Sequence, residues 1–155
     1  MKILLLHGPN LNLFGKREPH IYGTMSYAEI NRRMQALARE LNTELLVVQS
    51  NHEGTLIDAL HEHMDSAAGA VINPGGLTHY SVPLHDAIKA MPFPVIEVHM
   101  SNLAQRVEAW RHHSMISPAA KGTVQGFGWR SYTAALRLIV DLAREAKTKG
   151  KGRKK

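Results

Sequence analysis

Short apolar runs alternate with amphipathic stretches along this chain, and that alternation limits the possible folds more than any other feature. The apolar runs are typical of buried parallel strands, and the stretches between them have apolar residues at helical spacing. The predicted strands are residues 2–6, 45–48, 70–73, 95–98 and 123–127, and the predicted helices are residues 26–41, 54–63, 81–90, 103–112 and 131–147. The pattern predicts a three-layer α/β domain with a five-stranded parallel sheet between helices.

Polar segments follow three of the predicted strands, at the edge where such a sheet binds ligands. The predicted architecture is that of the flavodoxin-like fold, in which ligands bind beyond the carboxyl ends of the strands. The segments are HGPNLNLFGKREPHIYG at residues 7–23, NPGGLTHYS at residues 73–81 and EVHMSN at residues 97–102. Because these strand ends meet at one edge, the three segments are expected to surround one ligand. The first segment is long enough to form a lid.

Length and charge predict one catalytic domain at residues 1–146 and a basic tail at residues 147–155. The tail holds six basic residues and no acidic residue, whereas the rest of the chain has 13 of each. Two glycines and almost no apolar content favour a disordered, solvated tail, with weak contact to nucleic acid or a membrane surface as the alternative. The neutral body gives no reason to expect a nucleic-acid partner.

Several other classes of protein are disfavoured. The chain has no cysteine, which excludes disulfides and thiolate metal sites. No apolar run is long enough to span a membrane and no secretory signal is evident, so a cytoplasmic protein without a membrane partner is expected. Neither GxGxxG nor GxxxxGK[ST] follows a strand, and the histidine pairs lack metal-ligand spacing. A nucleotide cofactor is therefore disfavoured, and a metal ion shared by His79 and His99 lacks an evident third ligand.

Acid–base chemistry is the most specific prediction from the residues themselves. Glu97 and His99 alternate on one strand, so their side chains point to the same face, where the carboxylate would orient the imidazole and favour its protonated form. Tyr22 shares a loop with Lys16 and Arg17, and a nearby cation would favour its phenolate. A hydrogen-bonded core histidine is the alternative for His99, and packing is the alternative for Tyr22.

In combination, GPNLNLFGKREPHIYG, QSNHEG, NPGGLTHYS and EVHMSN make the chain resemble the type II 3-dehydroquinate dehydratases. The resemblance covers almost the whole chain as far as about residue 145. It implies a lyase that converts 3-dehydroquinate to 3-dehydroshikimate through an enolate, without metal, cofactor or Schiff base. Shikimate biosynthesis and quinate breakdown both use this step. The alternatives are a flavin- or phosphate-binding module of the same fold and a nucleic-acid-associated protein that acts through the tail.

The resemblance also implies a role for each site residue. Tyr22 is the expected base, and Arg17 lowers its pKa and stabilises the enolate when the loop closes. Asn10 holds a water against the enolate oxygen, and His99, oriented by Glu97, is the expected acid. The residues expected to bind substrate are Asn73, His79, Met100, Ser101 and Arg111.

Two further expectations concern charged residues and assembly. The resemblance implies that trimers group into a homododecamer, in which Asp86 reaches toward the site of a neighbouring subunit. Arg106 is the alternative to Arg111 for binding substrate, because the spacing of the two arginines departs from the family pattern by one residue. A third possibility is that both arginines serve only salt bridges or subunit contacts.

Overall fold

The described part of the chain contains five strands and four α-helices. The structure, a computed structural model, describes residues 1–16, 21 and 23–152, with side chains as far as residue 148. The strands are β1 (Lys2–His7), β2 (Glu44–Gln49), β3 (Ala67–Asn73), β4 (Val95–His99) and β5 (Gly122–Gln125). The α-helices are α1 (Tyr27–Glu40), α2 (Glu53–Glu62), α3 (Val82–Ala90) and α4 (Arg130–Gly152). The loops contain short 3₁₀ turns at Leu11–Leu13, Gly75–His79, Leu103–Gln105 and Ala109–His112.

The strands form a single sheet in the order β2-β1-β3-β4-β5, and every neighbouring pair is parallel. This is the doubly wound order of flavodoxin-like domains, with the reversal of strand order between β1 and β3. The predicted fold class is therefore confirmed. His7 and Asn73 are paired at the carboxyl ends of β1 and β3, so the segments that follow these strands leave the sheet side by side.

Alternating side chains of β1 supply both hydrophobic cores. Ile3 and Leu5 pack on one side of the sheet with residues of α1 and α4. Leu4 and Leu6 pack on the other side with residues of α2 and α3. Because all four are fully buried, β1 has no solvated face, which explains its continuous apolar sequence.

Two serines begin helices as the sequence predicts. The Ser26 hydroxyl accepts a hydrogen bond from the backbone N–H of Glu29 over 3.2 Å at the start of α1. The Ser81 hydroxyl accepts one from the backbone N–H of Leu84 over 3.0 Å at the start of α3. Ser81 also donates a hydrogen bond to Glu53. This contact ties the start of α3 to the first turn of α2, beside the loop that follows β3.

The predicted helix at residues 103–112 is wrong. Two 3₁₀ turns stand in its place, with extended backbone at Arg106 and Glu108 between them. In an α-helix, residues 106 and 111 would point about 140° apart, because each residue turns the helix by about 100°. The break instead lets both arginines pair with Glu108.

The last helix extends five residues beyond its predicted end at residue 147, to Gly152. The backbone of residues 147–152 thus continues α4, and residues 153–155 lie outside the described residues. The division into a catalytic domain and a basic tail stays a prediction. In the part of the chain that the structure describes, no helix has the length and apolar character needed to span a membrane.

Candidate active site

A cavity of about 340 Å³ opens at the carboxyl edge of the sheet. All three predicted segments contribute to its walls. The predicted site residues that line it are Asn10, Asn73, His79, His99, Met100, Ser101 and Arg111. Lining residues that the sequence did not single out include Phe14, Tyr80 and Trp110. One cavity therefore receives polar groups from β1, β3 and β4, as the predicted topology requires.

Of the predicted site residues that the structure describes, Glu97 and Asp86 do not line the cavity. Arg17 and Tyr22, the expected cation and base, lie outside the described residues. Asp86 is exposed on α3. Its expected role in a neighbouring subunit's site stays a prediction, as do the roles of Arg17 and Tyr22.

The turns after β1 and β3 are packed backbone against backbone. Gly8 donates its N–H to the carbonyl of Asn73 over 2.8 Å, and a Cβ at Gly8 would lie 2.2 Å from the carbonyl oxygen of Pro74. The neighbouring Asn10 adopts a left-handed conformation at φ 68°, and its N–H donates to Oδ1 of Asn51 over 2.9 Å. Only glycine fits at position 8, and this contact fixes the distance between two walls of the cavity.

The Gly8→Ala substitution should lower the free energy of unfolding by about 1–3 kcal/mol, because a methyl group forced against Pro74 must separate the two turns. KM for the substrate should rise as well, since the turns carry residues on both sides of the cavity. Gly54→Ala is the matched control, because a Cβ there would have no heavy atom within 4 Å. Urea unfolding of both variants checks the prediction, and equal stabilities for the two would contradict it.

His99 and Glu97 form a buried pair at the end of β4. Nε2 of His99 lies 2.7 Å from Oε1 of Glu97, and the two residues are 5% and 0% exposed. Their alternation on the strand does place both side chains on one face, as predicted. His99 lines the cavity and Glu97 lies behind it, so the carboxylate contacts the imidazole rather than the space where a ligand would lie.

Three hydroxyl groups complete the surroundings of Glu97. Ser114 donates to Oε1 over 2.9 Å, and Ser117 and Thr123 donate to Oε2 over 2.5 and 3.3 Å. Burial by itself would raise the pKa of Glu97, but the hydrogen bond and charge of His99, with the two serines, hold the pKa below its usual value. Glu97 is therefore a buried anion at neutral pH, and its Oε1 accepts the hydrogen bond from Nε2 of His99.

Arg106 and Arg111 flank Glu108 at the rim of the cavity. The Nε atoms of the two arginines lie 3.5 and 3.2 Å from the two carboxylate oxygens of Glu108. The Arg111 guanidinium also lies 4.2 Å from the ring centre of Trp110. The backbone N–H of Glu108 and these arginines lower its pKa to about 2. Two positive charges thus meet one negative charge, which leaves the rim with a net positive charge.

His79 also lines the cavity and is held in place through its Nδ1. Nδ1 donates to the carbonyl of His113 over 2.8 Å, and the ring meets Trp110 edge to face at 5.0 Å. Burial lowers the pKa of His79, although the carbonyl of His113 acts in the other direction, and the charges of Arg111 and His99 lower it further. A neutral imidazole with its proton on Nδ1 keeps Nε2 as a hydrogen-bond acceptor for a ligand hydroxyl.

The site is built from acid–base and anion-binding groups. Among residues 1–16, 21 and 23–148, no three histidine, aspartate or glutamate side chains lie close enough to hold a metal ion. The cavity offers the buried His99–Glu97 pair, the Asn73 carboxamide and a positively charged rim. These groups suit a small, anionic, hydroxylated substrate whose reaction needs proton transfer.

The fold and the site together define an α/β enzyme of acid–base type, and comparison with known proteins identifies the family. The family model for class II dehydroquinases matches residues 1–140. The chain is 53% identical to a 3-dehydroquinate dehydratase of Gloeobacter violaceus over 139 residues, which are 90% of this chain and 86% of that protein. The chain belongs to the class II dehydroquinase family.

Solved structures agree with this assignment. The type II dehydroquinase of Butyrivibrio crossotus superposes with a TM-score of 0.87 at 40% identity, over 90% of this chain and 97% of that one. The type II dehydroquinase of Propionibacterium acnes superposes with a TM-score of 0.86 at 38% identity, over 90% and 96% of the two chains. The predicted resemblance is confirmed in both sequence and fold.

Proposed function

We propose that this chain dehydrates 3-dehydroquinate to 3-dehydroshikimate, with Tyr22 as the general base and His99 as the general acid. The observation that carries the proposal is the buried His99–Glu97 pair in the wall of a cavity that polar residues from three strand ends surround. Membership of the class II dehydroquinase family supplies the substrate.

The reaction needs two proton transfers, one from the substrate to the enzyme and one from the enzyme to the leaving hydroxyl group. Tyr22 takes a proton from the carbon next to the substrate ketone, and the electron pair moves onto the carbonyl oxygen as an enolate. Arg17 and a water held by Asn10 stabilise this negative charge. The enolate then expels the hydroxyl group from the adjacent ring carbon, and the new double bond is conjugated with the ketone. His99 donates the proton with which that hydroxyl leaves as water.

The surroundings of His99 support its role as the acid. An acid must point toward the group that it protonates, and the buried Glu97 carboxylate holds the imidazole through a hydrogen bond from Nε2. Because three hydroxyl groups fix the carboxylate, the imidazole can donate its remaining ring proton only from the side that faces the cavity. His99 is thus oriented before the substrate arrives.

The walls of the cavity offer matching groups for the rest of the substrate. Its carboxylate is attracted by the net positive rim, and we assign this contact to Arg111, with Arg106 as the alternative. The side chains of Asn73 and His79, with Met100 and Ser101, bind the carboxylate and ring hydroxyls. A volume of about 340 Å³ lies within the usual range for sites of small ligands.

We also infer that the chain assembles as trimers grouped into a homododecamer. The proposed Asp86 contact with a neighbouring subunit's site requires such an assembly, and Asp86 is exposed on α3 as that contact demands. A mass near twelve protomers in light scattering is the expected result, and a monomer would contradict it. A cytoplasmic location and a role in quinate breakdown beside shikimate biosynthesis stay predictions.

The direct test is incubation of the purified chain with 3-dehydroquinate while the ultraviolet absorbance of the conjugated product is followed. We expect steady formation of 3-dehydroshikimate. The activity should persist after treatment with borohydride, a reagent that traps Schiff bases. The absence of product would overturn the proposal, and inactivation by borohydride with substrate would contradict the enolate route without a Schiff base.

The Arg17→Ala substitution should lower kcat more than it raises KM. Arg17 is proposed to act on the phenolate and on the enolate, so most of its effect belongs to the transition state. A loss of about a hundredfold to a thousandfold in kcat is expected for removal of a donor at an oxyanion. Arg39→Ala, which removes an exposed arginine of α1, is the control. Initial rates over a range of substrate concentrations check the prediction, and a change in KM alone would contradict it.

A further inference from the structure

A row of buried hydrogen bonds reaches Asn73 from behind the cavity. Nδ2 of Asn73 donates to the Tyr132 hydroxyl over 2.8 Å, and that hydroxyl lies 3.4 Å from Nδ1 of His7. Nε2 of His7 lies 3.0 Å from Oδ1 of Asn31 on α1. His7 and Tyr132 are fully buried and Asn73 is 3% exposed. The row thus joins three secondary-structure elements to one residue of the cavity wall.

The direction of each hydrogen bond follows from its neighbours. The backbone N–H of Gly75 donates to Oδ1 of Asn73 over 3.1 Å, so Nδ2 must face Tyr132. The Tyr132 hydroxyl then accepts from Asn73 and gives its own proton to Nδ1 of His7. The remaining imidazole proton lies on Nε2 and is donated to Asn31. One assignment of protons satisfies every bond in the row.

The two rings keep this assignment over the neutral pH range. Burial lowers the pKa of His7 to about 4, although the hydrogen bond to Asn31 acts in the other direction. Burial also raises the pKa of Tyr132. Both side chains are therefore uncharged at pH 7. Their rings stack with centres 5.4 Å apart and planes 28° apart, which restrains the Tyr132 ring beside His7.

We propose that Tyr132 and His7 are positioning residues that hold the Asn73 carboxamide in the orientation that binds substrate. The inference rests on the proposed function, in which Asn73 contacts the substrate. Tyr132 uses one of the two amide hydrogens of Asn73, and the other is left for a substrate oxygen in the cavity. Without the hydroxyl, the carboxamide loses a partner that distinguishes its oxygen from its nitrogen.

The test is the Tyr132→Phe variant, which keeps the ring and removes the hydroxyl. KM for 3-dehydroquinate should rise about tenfold, the effect of losing about one hydrogen bond, while kcat changes much less. In an Asn73→Ala background, adding Tyr132→Phe should raise KM no further, because the residue through which it acts is gone. Thermal unfolding shows whether each variant is folded at the assay temperature.

Tyr27→Phe is the matched control. Tyr27 also contacts the His7 ring, at 5.0 Å, and hydrogen-bonds to Asn31, whereas the hydrogen bonds of Asn73 described above are to Tyr132 and Gly75. Its KM should stay within about twofold of the wild-type value. An unchanged KM in folded Tyr132→Phe, or effects that multiply in the double variant, would overturn the inference. A purely structural role for Tyr132 would lower the melting temperature and leave KM unchanged.

His7 gives a second, independent variant if Tyr132→Phe does not fold. His7→Phe should raise KM about threefold, less than Tyr132→Phe, since the bond of 3.4 Å is long and weak. His7→Gln, which keeps a donor and an acceptor, should restore most of the affinity. If Asn73→Ala keeps the wild-type KM, the role of Asn73 and this inference both fail, while turnover by the wild type leaves the proposed reaction standing.

Discussion

The Tyr22→Phe variant should turn over 3-dehydroquinate about a thousandfold more slowly than the wild type, with little change in KM. Removing a general base from a positioned site costs on the order of 10²–10⁴ in rate. In the proposed reaction no other side chain of the cavity acts as the base. Product absorbance in stopped assays, with enzyme concentrations high enough to detect slow turnover, gives the rate.

The same variant should also stop exchange of the substrate proton next to the ketone with solvent deuterium. Exchange requires the enolate, so its loss identifies the first step as the one affected. Tyr27→Phe, the same chemical change five residues away, should keep both turnover and exchange. A Tyr22→Phe enzyme with near-normal kcat would refute the assignment of the base and leave the family membership intact.

Much of the fold could be predicted because its determinants are local. The apolar sequence of β1 reflects burial on both faces, and the hydroxyl caps of α1 and α3 lie within three residues of the groups they bind. The errors lie at breaks in the backbone that the apolar pattern does not mark. Strand β5 ends at Gln125 rather than at residue 127 because Gly126 turns away with φ 92°. The helix predicted after β4 is broken where Arg106 and Arg111 pair with Glu108.

In the site, too, some features could be predicted from the sequence and others could not. Topology alone brings Asn10, Asn73 and His99 together, because parallel strands deliver their carboxyl ends to one edge. Apart from Glu97, the groups behind them left no signal in the sequence. Ser114 and Ser117 lie on a loop 17 and 20 positions from Glu97, and loop hydroxyls are too common to indicate a partner. Tyr132 is 59 positions from Asn73 and occupies an apolar helix position where a tyrosine is expected for packing alone.

His99→Ala should lower kcat about a thousandfold, as expected for loss of a general acid. The variant separates the proposed role from that of a core histidine. A core histidine would contribute to stability only, and its loss would lower the melting temperature without a selective effect on kcat. The expected result is a large fall in kcat at a temperature where circular dichroism shows the variant to be folded. His61→Ala, at an exposed position of α2, is the control for loss of a histidine.

The proposed roles of Tyr22 and His99 predict that Tyr22→Phe and His99→Ala differ in how fast the substrate proton next to the ketone exchanges with solvent. With Tyr22 intact, His99→Ala can still form the enolate and return a proton to it, so solvent deuterium should enter the substrate faster than product appears. Proton NMR of 3-dehydroquinate in D₂O follows the exchange directly. Equal loss of exchange and turnover in His99→Ala would mean that His99 acts before the enolate forms. In that case the His99–Glu97 pair would assist the first proton transfer, from the substrate to the base. Another group of the cavity would then have to be the acid.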